Sequence, residues 1–128
     1  MPEDTKKIKV LVVEDDMFMS DLLQKALDRA GFEAIAARTG AEACVKFTET
    51  HPDLMLLDLL LPDENGFETL RKIRRLEHGP DIKVIVLSNL TRESNAEEAR
   101  RLGAEEYLVK VNFSLDEIVE KIRSVLHG

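Results

Sequence analysis

Residues 51–66 read HPDLMLLDLLLPDENG, and this stretch decides the fold. Leu54-Met55-Leu56-Leu57 is a short, unbroken apolar run. Such a run suits a strand of a parallel sheet that is covered on both faces. Asp58 follows it directly, and Leu59-Leu60-Leu61 comes next. An ionised carboxylate in apolar surroundings is costly unless it is paired or coordinated. Asp58 therefore raises the question of what satisfies it.

The same grammar repeats along the chain. Ile8–Val13, Glu33–Ala37, Lys83–Leu87 and Glu106–Val109 also read as buried strands. Between them lie segments of helical period. Met19, Leu23, Ala26, Leu27 and Ala30 form one stripe, and Phe67, Leu70 and Ile73 a shorter one. Leu115, Ile118, Val119, Ile122, Val125 and Leu126 form the clearest. Arg92–Leu102 is weakly apolar, which predicts a helix lying loosely on the sheet. Thr39 with Glu42, and Ser114 with Glu117, have the spacing of capping boxes. Gly31 and Gly103 stand where helices want a left-handed C-terminal residue. The order is strand then helix, five times over. It predicts a doubly wound α/β fold with a parallel sheet and right-handed crossovers.

Composition narrows the function. The chain has 128 residues, which suits a single domain over 1–128. The net charge of −7 disfavours direct nucleic-acid binding. No apolar run approaches the ~20 residues of a membrane helix. The N-terminal MPEDTKKIKV lacks a signal peptide's apolar stretch, so the expected location is the cytoplasm. The single cysteine, Cys44, allows no internal disulfide and reads as a small core or boundary residue. His51, His78 and His127 read as surface residues.

In open α/β sheets, ligands bind beyond the carboxyl ends of the strands. Glu14, Asp15 and Asp16 follow the first run, and Asp58 the third. Ser88 and Asn89 end the fourth, and Lys110 the fifth. Converging carboxylates repel and raise one another's pKa, and a hard divalent cation resolves that conflict. Lys110 adds a compact positive charge, and Ser88 a hydroxyl donor. An acceptor oxygen, a metal and donors together are equipment for phosphoryl transfer. An aspartate can itself be the nucleophile. Asp16 reads as the cap of the first helix.

VLVVEDD, DLMLLDLLLPDENG, VIVLSNL and EEYLVK, in that order and spacing, resemble the receiver domain of bacterial two-component response regulators. The likeness is to the chemotaxis-regulator type and covers nearly the whole chain. It implies a flavodoxin-like sheet of order 2-1-3-4-5 with five helices; that order belongs to the chemotaxis regulators and comes with the likeness alone. It implies Asp58 as phosphoacceptor, Ser88 as switch hydroxyl and Lys110 as the lysine that pairs with acceptor or phosphoryl group. It implies that Tyr107 turns inward when Ser88 moves. It also implies Mg2+ (or Mn2+) on Asp15, Asp58 and the Leu60 carbonyl, with Glu14 holding the metal through water. The phosphodonor would be a sensor histidine kinase or a histidine phosphotransfer protein. The output would be a change in the face of helix four, strand five and helix five, read by an unknown partner, in a monomer or weak dimer. Arg92, Arg100 and Arg101 are candidates for that contact. Such a protein is a signalling phosphoacceptor, not an enzyme in the usual sense.

Two positions depart from the family. A proline usually follows the lysine, often through a cis bond; here Val111 does, and one extra residue precedes Phe113-Ser114. A cis bond before a non-proline residue costs ~2.5–4 kcal/mol, so a trans bond and a looser Lys110–Asp58 contact are expected. The residue after the switch hydroxyl is usually small; here it is Asn89, expected to alter autodephosphorylation. A pseudo-receiver, binding partners without phosphorylation, is the alternative. A flavodoxin-like cofactor binder would need a phosphate-cradling loop where EDDMF stands. A haloacid-dehalogenase-type phosphatase would need an acid where Leu60 stands.

Overall fold

A computed structural model describes residues 7–128. The N-terminal residues read for a signal peptide lie mostly outside this range. β1 (Lys9–Val13), β2 (Glu33–Ala37), β3 (Leu54–Leu57), β4 (Lys83–Ser88) and β5 (Glu106–Val109) form one parallel sheet. Its order is β2-β1-β3-β4-β5. α1 (Met17–Arg29), α2 (Gly40–Thr50), α3 (Gly66–Arg74), α4 (Glu93–Arg101) and α5 (Leu115–His127) alternate with the strands.

Strand alternation sorts the core into two layers. Leu11, Met55, Leu57, Val84 and Val86 face Ala43 and Phe47 of α2, Phe67, Leu70 and Ile73 of α3, and Ala99 of α4. Val10, Val12, Leu54, Leu56, Ile85 and Leu108 face Leu23, Ala26 and Leu27 of α1 and Ile118, Val119 and Ile122 of α5. Every residue of β3 is buried, as its continuous apolar run requires. Ala99 is the one buried residue of α4, so that helix does lie loosely.

The caps hold with one variation. Ser114 and Glu117 form the reciprocal capping box at α5. At α2, Thr39 accepts the Glu42 N–H, but the Glu42 carboxylate accepts from the Arg38 N–H instead of from Thr39. Gly31 and Gly103 have φ of +94° and +83°. Two short 3₁₀ turns, Gly79–Asp81 and Lys110–Asn112, have no counterpart among the elements expected from sequence. β1 starts at Lys9, one residue later than expected, and β4 includes Ser88.

Candidate functional site

Register brings the two key acids together. Val13 pairs with Leu57, so Glu14 and Asp58 leave the sheet side by side. The Asp58 N–H still donates to the Val13 carbonyl at 3.0 Å, and the Glu14 N–H to the Ala37 carbonyl at 3.0 Å. Both acids are buried, Glu14 at 3% exposure and Asp58 at 7%. Beyond β3, Ser88 of β4 pairs with Val109 of β5, which sets Lys110 just past the sheet.

Lys110 answers the question that Asp58 poses. Its Nζ donates to Glu14 Oε1 at 2.6 Å and to Asp58 Oδ2 at 3.1 Å. Asp58 Oδ1 accepts the Leu59 N–H at 2.7 Å. Glu14 Oε2 accepts the Asp16 N–H at 3.0 Å. Burial, aided by the Asp58 charge, pushes the Glu14 pKa up despite the lysine. Burial works against the Lys110 charge, but the two carboxylates outweigh it and raise its pKa.

The expected loose Lys110–Asp58 contact is therefore corrected: the ion pair is direct. The Lys110–Val111 peptide is trans, as expected. The 3₁₀ turn at Lys110–Asn112 takes up the extra residue after the lysine, so the ammonium still reaches the acids.

The other residues fall around this pair. Ser88 is buried, and its Oγ accepts the Leu90 N–H at 3.3 Å. Tyr107 is half-buried and donates its hydroxyl to the Leu90 carbonyl at 2.7 Å. Burial and the Asp58 charge raise its phenol pKa. Asp16 caps α1 by accepting the Met19 N–H. Asp15 is exposed, and among the described residues no three acids, histidines or cysteines converge closely enough to hold a metal. The donor set nonetheless fits a hard cation. It is all oxygen: the Glu14 and Asp58 carboxylates face one ammonium, and Asp15 follows Glu14 in the chain. Here the Lys110 ammonium lies between Glu14 and Asp58 and supplies the compensating charge itself.

Gly66 is not assigned from sequence, and Asn89 is expected there to alter autodephosphorylation, not to make a backbone contact. Gly66 opens α3 against the site strand, where an added methyl would strike the Asp58 carbonyl oxygen and Leu59 Cα. Its signal was present as the Asn65-Gly66 pair. Asn89 Oδ1 accepts the Val111 N–H at 3.1 Å, a contact that no local pattern announces. At the opposite edge, the rings of His51 and His78 meet edge to face, their centroids 5.4 Å apart.

Comparison with known proteins agrees with this fold. The family model described as "Response regulator receiver domain" matches residues 10–123. The chemotaxis protein CheY of Thermotoga maritima is 32% identical over 118 residues, covering 91% of this chain and 96% of that protein. The transcriptional regulatory protein TrcR of Mycobacterium tuberculosis is 35% identical over 125 residues, covering 96% of this chain and 47% of that one. The chain thus spans about half the length of the transcriptional regulators it matches. A CheY-like receiver domain protein of Methanospirillum hungatei superposes with a TM-score of 0.88 at 29% identity, over 95% of each chain. The chain belongs to the response regulator receiver family.

Proposed function

We propose that Asp58 accepts a phosphoryl group and that the chain, as a single receiver unit over 1–128, signals through the change that follows. The observation that carries this reading is the buried Asp58 carboxylate, held at the carboxyl edge of the sheet by Lys110 with Glu14 beside it. Receivers are signalling proteins, and they generally bind Mg2+ at this acidic pocket. Glu14, Asp15, Asp58 and the Leu60 carbonyl would hold it, and it would neutralise charge on the non-bridging phosphoryl oxygens.

An Asp58 oxygen attacks phosphorus, and the donor's bond to phosphorus breaks with its electron pair kept by the leaving group. Lys110 steadies the acceptor carboxylate beforehand and the phosphoryl oxygens afterwards. Ser88 exchanges its bond with the Leu90 N–H for one to a phosphoryl oxygen. That change frees Leu90 and Tyr107 to move, which shifts the population of the α4–β5–α5 face. Met17, Phe18, Leu60 and Val111 expose apolar side chains next to the site residues in sequence. They suit a protein donor, a histidine kinase or phosphotransfer protein, in the cytoplasm. Among the described residues no helix is long and apolar enough to cross a membrane.

The pseudo-receiver reading draws on the same salt bridge, because Lys110 itself brings a compensating charge to Glu14 and Asp58. One experiment separates the two. The protein is incubated with acetyl phosphate and Mg2+ and its intact mass measured. A phosphoryl adduct that disappears in Asp58→Asn is expected. No adduct, from acetyl phosphate or from a kinase, selects the pseudo-receiver.

A further inference from the structure

Both departures from the family meet in one hydrogen bond. Val111 stands where a proline is usual and so carries an N–H, and Asn89 stands where a small residue is usual. The Val111 N–H donates to Asn89 Oδ1 at 3.1 Å. Only the oxygen of the amide can accept from an N–H, so the orientation of Asn89 follows from its partner.

The bond lies just past the end of a ladder. β4 and β5 are paired as far as Ser88 and Val109. Asn89 and Lys110 are the next residues on each side. There the backbone of β5 turns into 3₁₀ geometry, and its N–H groups leave the sheet. The Asn89 side chain supplies one more rung where β4 can no longer supply a carbonyl. Lys110 is then held on both flanks, by the paired Val109 and by the bonded Val111. A proline would fix the chain after the lysine covalently, through its ring. Here a side-chain acceptor on the neighbouring loop does it.

We infer that Asn89 is a positioning residue: by accepting the Val111 N–H it takes the part of the missing proline and holds the Lys110 ammonium on Glu14 and Asp58. This rests on the proposed phosphoacceptor reading. It differs from a direct effect of Asn89 on the phosphoryl group or on an attacking water. Asn89 is exposed and makes its bond to backbone, and the Val111 side chain is 78% exposed. The Val111 side chain therefore contributes little to the contact. The tie also joins the segment just after Ser88, the last residue of β4, to the turn that carries Lys110, so movement of Ser88 reaches the lysine.

The test uses two readouts. Amide hydrogen exchange at Val111 needs no phosphoryl group and no metal. Asn89→Ala is expected to speed it by about fivefold, the worth of one ordinary hydrogen bond, whereas Asn89→Asp, which keeps the acceptor, preserves protection. Phosphorylation by acetyl phosphate with Mg2+, followed by intact mass, is expected to slow several-fold in Asn89→Ala. In a Val111→Pro background no N–H remains to accept, so Asn89→Ala should change the rate no further. Unchanged exchange at Val111 in Asn89→Ala overturns the inference. An unchanged phosphorylation rate in Asn89→Ala does so too. So does a slowing that persists undiminished in the Val111→Pro background, because Asn89 would then act at the phosphoryl group itself. Should Val111→Pro fail to fold, the exchange pair of Asn89→Ala and Asn89→Asp decides. Should the wild type take no phosphoryl group, the phosphoacceptor reading fails, and exchange at Val111 still decides whether the tie exists.

Discussion

Glu14 lies in an environment that opposes its own ionisation. Burial raises its pKa above the ordinary 4.5. A carboxyl with a raised folded pKa binds its proton more tightly folded than unfolded. Its contribution to stability is therefore complete below the ordinary value and is lost as pH rises through the raised one. In metal-free buffer at neutral pH, Glu14→Gln is expected to melt at a higher temperature than the wild type. The gap should close as pH falls below 4.5. Thermal melts across pH check this, and a gap independent of pH would show that ionisation is not the cause. Lys110 runs the other way. Its contribution is complete below the ordinary lysine value of 10.5 and fades as pH rises through its higher folded value. The identities of these residues are legible in the sequence because each closes a readable strand. The Lys110–Glu14 bond is not, since its partners lie 96 positions apart and the bond depends on how β1 and β5 are placed. A resemblance carries over which residues gather, but not that Lys110 bonds Glu14 as well as Asp58.

Among the elements, α4 and the end of α3 show opposite ways of being attached. α4 buries only Ala99 and is tied to α3 by an ion pair between Arg71 and Glu98, a partly exposed contact that salt weakens. Amide exchange in Glu93–Arg101 is expected to be faster than in α5 and to quicken further in Glu98→Gln. Uniform protection across the helices would contradict this. The end of α3 is held by a guanidinium instead. Arg74 Nη1 donates to the carbonyls of Gly79 at 3.0 Å and Ile82 at 2.7 Å. Its Nε donates to Leu102 and its Nη2 to Gly103, each at 3.1 Å. This knits together the start of β4 and the end of α4. A lysine lacks the fork, so Arg74→Lys is expected to lose about 1.5–3 kcal/mol in urea unfolding. The weakness of α4 can be read from its composition. The Arg74 hub cannot, because carbonyl acceptors leave no mark on a side-chain sequence.

For the whole molecule, one sheet divides the core and also unites it. Phe47 is fully buried in the layer beneath α2 and α3, while the site lies at the carboxyl edge of the same strands. Phe47→Ala is expected to cost about 3–5 kcal/mol. Both core layers should be lost in one transition by circular dichroism and by tyrosine fluorescence. Separate transitions would mean that the two layers unfold independently. The strand limits are legible because they rest on runs of four apolar residues, a local property. β2, β3 and β5 begin and end where the sequence places them. The two 3₁₀ turns escape because each is three residues long and has no period of its own.

The Asn89–Val111 bond also has a meaning across sequences. If a side-chain acceptor and a backbone N–H together replace a ring, the two positions are not free to vary separately. Among receivers that lack the proline, the residue after the switch hydroxyl should carry an acceptor more often than among those that keep it. Loss of one half would then favour loss of the other, or a return to proline. Covariation of two columns in a family alignment would record the bond without any structure at all.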